Sequence, residues 1–310
     1  MIFAAFQDFL QKKSSKPKIL CIIGTTASGK TDLAVQIAKK YNGEIVNADS
    51  RQMYRYMPIG TAAPTEEEKQ GVPHHLFEFV DPSQEWNVAE WKPKAVEKIR
   101  EILKRGNLPI FCGGTGLFIN ALTKNFTIPS IPPHPEFREE KEKKSVEELW
   151  KELMIKDPKS AEKILPSNKR YVIRALEILE FSGEKKSFVA GQNDSPYDAF
   201  LVGVTYPRKE LYDRINARVE IMKKNGFLRE VEALLQKGYS EKNTALNAHG
   251  YPEAIRFLRN EISEKELWET MKKNTRNYAK RQLTWWRRDP RVYWFHSKTK
   301  IPLDIHSPEY

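Results

Sequence analysis

Cysteine is almost absent from this chain. Of 310 residues only Cys21 and Cys112 are cysteines, each in or at the end of an apolar, strand-like run. That excludes a disulfide framework or a cysteine-based zinc cluster, and both read as core residues of a reduced, cytoplasmic protein. Histidine is scarce as well. Two of the six are the adjacent pair His74-His75, which cannot share one face of a helix or strand and has no spaced partner for zinc. No apolar run approaches the roughly 20 residues that cross a bilayer, so no membrane partner is expected. The mildly apolar start, with Ile2, Phe3, Phe6, Phe9 and Leu10, lacks a basic leader and a small-residue cleavage site. It reads as a frayed extension over 1–16 and not as a secretion signal. Acidic residues are the minority charge, 41 against 52 basic, a net +11 at pH 7, which favours a polyanionic partner.

What is present is Gly24-Thr25-Thr26-Ala27-Ser28-Gly29-Lys30-Thr31. It follows the apolar run Ile19-Leu20-Cys21-Ile22-Ile23 and opens into a predicted helix over 32–40, the strand, glycine turn and helix that a phosphate-binding loop requires. The glycines let the N–H groups of Gly24, Thr26, Ala27, Ser28 and Gly29 curl inward, and the helix aims its positive end at the same spot. Lys30 adds a full charge, and Thr31 places a hydroxyl where Mg²⁺ would sit between protein and phosphate oxygens. A bound polyphosphate is the expectation.

A short strand beginning at Ile45 is predicted to end at Asp49, on the sheet edge where functional groups gather; Asp49 could equally cap a following helix. A helix over 86–105 leads to a buried strand, Leu108-Pro109-Ile110-Phe111-Cys112, and to Gly113-Gly114-Thr115-Gly116-Leu117, which should deliver Thr115 to the same edge. Prolines 129, 132, 133 and 135 then mark a boundary. Helices are predicted over 145–155, 160–165 and 168–182. Lys169, Arg170 and Arg174 project from the last, the two arginines on one face as a basic pair or part of a solvated surface. A strand resumes at 200–205. In the helix over 208–224, Arg218 falls inside the stripe formed by Leu211, Ile215, Val219 and Met222, with Arg214 at its border. An arginine there calls for an anion, either a structural carboxylate or a bound phosphate. Ser263-Glu264-Lys265-Glu266 starts a long basic helix ending in Trp285-Trp286, suited to nucleic acid or to packing of its tryptophans in the core.

These residues alone describe an enzyme acting on a phosphorylated ligand. The generic form is a small-molecule or nucleotide kinase with Asp49 as proton acceptor, and spacing cannot separate phosphoryl transfer from another displacement at a diphosphate.

Taken together, the 24–31 loop, Asp49-Ser50-Arg51-Gln52-Met53-Tyr54, Ile59-Gly60-Thr61-Ala62, Pro73-His74-His75-Leu76, Gly113-Gly114-Thr115-Gly116-Leu117, Arg174-Ala175-Leu176-Glu177 and Arg281-Gln282-Leu283-Thr284-Trp285 resemble the tRNA dimethylallyltransferase family, also called tRNA isopentenyltransferases. The likeness is collinear over about 19–295. It implies an α/β fold with a P-loop kinase-like parallel sheet flanked by helices and a helical insertion that grips the anticodon stem-loop. The corresponding division is an extension at 1–16, a catalytic core at 17–125 and 198–296, a tRNA-binding insertion at 126–197 and a tail at 297–310. The implied reaction moves a dimethylallyl group from dimethylallyl diphosphate to N6 of the adenosine 3′ to the anticodon, in tRNAs reading codons that begin with U. Asp49 resembles the general base, and Thr115 the threonine at the reacting nucleotide and diphosphate. Lys30, the loop amides, Mg²⁺ at Thr31, and Arg218 with Arg214 hold the diphosphate. Ser50, Arg51, Gln52 and Arg281 should meet the tRNA in the core, and Arg138, Lys169, Arg170 and Arg174 in the insertion. Family members commonly carry Lys where Ala63 stands and Arg where Tyr171 stands. A monomer is expected. The alternatives are a relative that prenylates free adenine nucleotides, a P-loop kinase, and a tRNA-binding protein with a vestigial loop.

Overall fold

The buried runs assemble into one parallel sheet. A computed structural model describes residues 2–125, 131, 132, 134–183 and 194–296. Among these, the strands are β1 (Lys18–Gly24), β2 (Gly43–Asn47), β3 (His74–His75), β4 (Leu108–Gly113), β5 (Asp198–Thr205) and β6 (Val292–His296). Their order is β3-β2-β4-β1-β5-β6, with every pairing parallel. A parallel sheet is covered on both faces, which is why β1 is apolar at successive positions instead of alternating; Ile19, Leu20, Cys21, Ile22 and Ile23 are all fully buried. Because the strands run one way, their carboxyl ends, and the loops that follow β1, β2 and β4, share one edge. The Lys30–Lys40 helix buries Leu33, Ala34, Ile37 and Ala38 in a cluster with Ile22, Ile45, Ile110 and Phe200. Cys21 and Cys112 are buried free thiols.

The extension at the start is not frayed. Ile2–Gln11 is a helix whose Phe3, Phe6, Phe9 and Leu10 recur at helical spacing. Phe6 is only 2% exposed and packs against Tyr41 and Phe200 at ring separations of 5.2 Å. The Lys18 ammonium donates to the carbonyls of Leu10 (2.5 Å) and Lys12 (2.6 Å), closing the helix's carboxyl end. The long Glu264–Trp286 helix, with Ser263 accepting the Glu266 N–H at 3.2 Å, parts its two tryptophans: Trp286 is buried and Trp285 exposed.

The chain divides into two compact units, one formed by described residues of Met1–Ile119 and Pro196–Tyr310, the other by those of Asn120–Ser195. In the second unit, helices Val146–Lys156 and Lys169–Ser182 pack Leu149, Leu153, Val172, Ile173 and Leu176 together. The helix expected over 160–165 is a single turn, Pro158–Ala161, started by Pro158 and by the Asp157 side chain accepting the Ser160 N–H. Part of the proline-marked boundary and all of the 297–310 tail lie outside the described residues.

Candidate active site

At the carboxyl end of β1, Gly24 adopts φ 146°, and a Cβ there would lie 2.4 Å from the Val204 carbonyl oxygen of β5. Only glycine lets the loop start so close to the neighbouring strand. Ala27 and Gly29 take left-handed φ of 60° and 78°, and the Ser28 hydroxyl donates to the Thr25 carbonyl at 2.8 Å, fixing the curl. Gly29 precedes the Lys30–Lys40 helix without a side-chain cap, which leaves first-turn N–H groups and the positive dipole end for an anion.

Three cations converge on this loop. The Lys30 ammonium donates to the Thr25 carbonyl at 2.5 Å. Burial lowers its pKa to about 8, opposed by the Cys112 thiol and the Asp49 carboxylate and reinforced by Arg218. Arg218, from the Arg208–Lys224 helix, donates to the Thr26 hydroxyl at 3.2 Å, and burial pushes its pKa down too. An arriving polyanion would reverse that penalty on both groups. Arg214, more exposed, donates to the Ala27 carbonyl at 2.9 Å and lies over the Tyr206 ring. Thr31 follows in the first helical turn, partly exposed. Among the described residues no group of three His, Cys, Asp or Glu could hold a metal. A lone hydroxyl suits Mg²⁺, which keeps most of its waters and takes phosphate oxygens.

Asp49 stands on the adjoining turn. β2 ends at Asn47, two residues earlier than expected, because the Asn47 side chain takes over: it accepts the Asp49 N–H at 2.8 Å and donates to the Leu76 carbonyl at 2.9 Å. No helix follows for Asp49 to cap; its carboxylate instead accepts the Arg51 N–H at 2.9 Å, within a turn. Gly113 at the end of β4 touches this turn, since a Cβ there would lie 2.2 Å from the Ala48 carbonyl carbon and oxygen. The backbone bonds Ala48 N–H to Cys112 (2.9 Å) and Thr115 N–H to Ala48 (3.2 Å) lock the contact. The Thr115 hydroxyl accepts the Ser50 N–H at 3.0 Å. Arg51 donates to the Thr244 carbonyl at 2.5 Å, and Gln52 to the Ala62 carbonyl at 2.7 Å. The Ile59-Gly60-Thr61-Ala62 stretch is held from its other side by Glu230, which accepts the Ile59 and Gly60 N–H groups at 2.7 and 2.9 Å.

Two residues to which the sequence reading assigned no role complete the site. Gln282 is 5% exposed; its carbonyl oxygen accepts the Thr26 N–H at 2.8 Å and its amide donates to the Gly114 carbonyl at 3.1 Å. The hydroxyl of Tyr278, one turn earlier, faces Thr115 and Gln282, and burial beside Asp49 pushes its pKa up. The available signal was a glutamine in line with the apolar Met271, Ala279 and Trp286, the same anomaly that exposed Arg218. Arg281 stays exposed, 3.4 Å from His249 and over the Tyr278 ring.

The insertion residues behave differently. The basic pair expected of Arg170 and Arg174 is split: Arg170 is exposed, while Arg174 joins Arg138 on the fully buried Glu177 carboxylate. Glu177 also accepts the His134 N–H at 2.8 Å, so both arginines have a structural partner: Arg174 at i,i+3 on its own helix and Arg138 from another element. Lys169 pairs with Glu142 at 3.3 Å. Tyr171 is half exposed and Ala63 buried.

Within one unit, then, a P-loop sits beside a carboxylate-bearing turn at the carboxyl edge of a parallel sheet, which defines a P-loop α/β protein built to handle a di- or polyphosphate. Two family models match the chain, IPP transferase over residues 52–289 and Isopentenyl transferase over residues 17–77. The chain belongs to the IPP transferase family. It is 45% identical over 287 residues to a tRNA dimethylallyltransferase of Thermoanaerobacter sp., covering 90% of this chain and 91% of that one. Against the same-named protein of Bacillus anthracis the figures are 43%, 90% and 91%. Among solved structures, the tRNA isopentenylpyrophosphate transferase of Bacillus halodurans superposes with a TM-score of 0.69 at 42% identity, covering 91% of this chain and 90% of that one. A eukaryotic dimethylallyltransferase acting on tRNA gives 0.74 at 28%, covering 90% and 74%.

Proposed function

We propose that this protein transfers a dimethylallyl group from dimethylallyl diphosphate to N6 of the adenosine 3′ to the anticodon, in tRNAs reading codons that begin with U. The observation that carries this reading is the direct contact between the Ala48–Asp49 turn and Gly113 beside the 24–31 loop, which sets a proton acceptor next to an anion cradle. In the reaction the N6–C1 bond forms as the C1–O bond to diphosphate breaks, and the bonding pair leaves with the diphosphate. The attacking nitrogen becomes acidic, and its proton passes to the Asp49 carboxylate. Lys30, Arg218 and the loop amides other than that of Thr26, whose N–H is taken by Gln282, stabilise the charge growing on the departing group. Thr31 would hold a magnesium ion, which would supply positive charge against that of the departing group. Ser50, Arg51, Gln52, Thr115 and Arg281 meet the extruded adenosine and its neighbours. In the second unit Lys169 and the exposed Arg170 contact the stem-loop backbone, and Arg138 and Arg174 do so while bound to Glu177. The enzyme acts as a cytoplasmic monomer.

The test is incubation with dimethylallyl diphosphate, Mg²⁺ and an anticodon stem-loop carrying three consecutive adenosines. The reading requires a prenyl mass gain on the middle one. Consumption of a free adenine mononucleotide in its place would favour the nucleotide prenyltransferase, and γ-phosphate transfer from ATP would favour a kinase.

A further inference from the structure

Gln282 occupies an unusual place. It is 256 residues from Thr26 and 168 from Gly114, yet one carboxamide bonds both, at 2.8 and 3.1 Å. The Thr26 N–H belongs to the loop that receives the leaving group. The Gly114 carbonyl belongs to the turn that carries Thr115, and through Ala48 that turn holds Asp49. Gly114 is shaped for this contact, because a Cβ there would lie 2.0 Å from the Gln282 amide nitrogen. A carboxamide is the side chain for the task, since it accepts from one backbone group and donates to another at the same moment. A carboxylate could only accept. One helical turn away, the Tyr278 hydroxyl faces both Gln282 and Thr115, so the same helix face reaches each half of the site.

We propose that Gln282 is a positioning residue for group transfer: it fixes the distance between the diphosphate cradle and the turn bearing Asp49 and Thr115, and so aligns the attacking nitrogen with the donor carbon. The inference rests on the prenyl-transfer reading above. It places the effect in the chemical step, because each half binds its own substrate through other groups and only their register depends on Gln282.

The decisive variant is Gln282→Leu, close in size but unable to bond either backbone group, with Tyr278→Phe as a milder second lesion that keeps the ring. Wild type and variants are compared for prenyl transfer to the stem-loop and for pyrophosphate binding by calorimetry. The expected result for Gln282→Leu is a kcat lower by about 30-fold or more, with KM for each substrate and the pyrophosphate Kd within about threefold of wild type. Tyr278→Phe is expected to lower kcat by about tenfold with the same unchanged binding, and its result decides should Gln282→Leu not fold. A kcat within threefold of wild type would overturn the inference. So would a pyrophosphate affinity falling by the same factor as kcat, which would make Gln282 a mere support of the loop. Absence of prenyl transfer by the wild-type enzyme would instead overturn the reading on which the inference rests.

Discussion

Replacing Gly113 with alanine tests whether the site depends on close contact between β4 and the Asp49 turn. A Cβ at Gly113 would lie 2.2 Å from both the carbon and the oxygen of the Ala48 carbonyl and 2.7 Å from the Asp49 nitrogen, where ordinary contact begins at 3.4 Å. The obstacles are backbone atoms, pinned by the Ala48 to Cys112 and Thr115 to Ala48 hydrogen bonds at 2.9 and 3.2 Å, so no side chain can swing aside. The turn must recede by about 1 Å, and a displacement of that size at a reacting group lowers the rate by about 100-fold. Overpacking of this kind also costs about 1–3 kcal/mol of stability. Single-turnover transfer from dimethylallyl diphosphate to the stem-loop, with thermal unfolding in parallel, separates the two effects. Gly106→Ala is the control: its φ is +75°, so it carries backbone strain, but a Cβ there meets nothing within 4 Å. Gly113→Ala turning over within threefold of wild type while folded would refute the reasoning.

Two further outcomes follow. Lys30, held near pKa 8 by burial, is partly neutral at that pH in the free protein and is charged once an anion lies against it. Pyrophosphate binding at pH 8 should therefore take up a proton, and affinity should weaken as pH rises through about 8. Calorimetry in buffers of different ionisation enthalpy should show this uptake in the wild type and lose it in Lys30→Arg, whose charge is permanent. Glu177→Ala removes the shared acceptor of Arg138, Arg174 and the His134 N–H. Both guanidiniums keep partial access to water, so the loss is about 2–3 kcal/mol, less than for a fully buried pair; hydrogen exchange of the Lys169–Ser182 helix amides would report it, and unchanged protection would contradict it.

The parts of the fold set by local chemistry were legible in the sequence. The 24–31 loop declares itself because glycine turns, an uncapped helix start and a lysine must be contiguous to cradle phosphate. The buried strands of a parallel sheet announce themselves as unbroken apolar runs. Arg218 stood out because a charge in an apolar stripe demands a partner. What was hidden is what the tertiary fold alone brings together. Tyr278 and Gln282 lie in a helix whose polar surface read as a candidate RNA face. The Arg174–Glu177 pair lies at i,i+3 on one helix, but Arg138 reaches the same carboxylate from another helix, and spacing cannot show that. Phe6 read as frayed because its partners, Tyr41 and Phe200, lie far along the chain.

The most direct test of the central claim is Asp49→Asn. The amide oxygen can still accept the Arg51 N–H that the carboxylate accepts at 2.9 Å, so the turn and stem-loop binding should persist while the proton acceptor is lost. The account predicts a kcat lower by about 10²- to 10⁴-fold, equivalent to about 3–5 kcal/mol in the barrier, with stem-loop Kd within about threefold of wild type. A folded Asp49→Asn enzyme turning over within tenfold of wild type would contradict it.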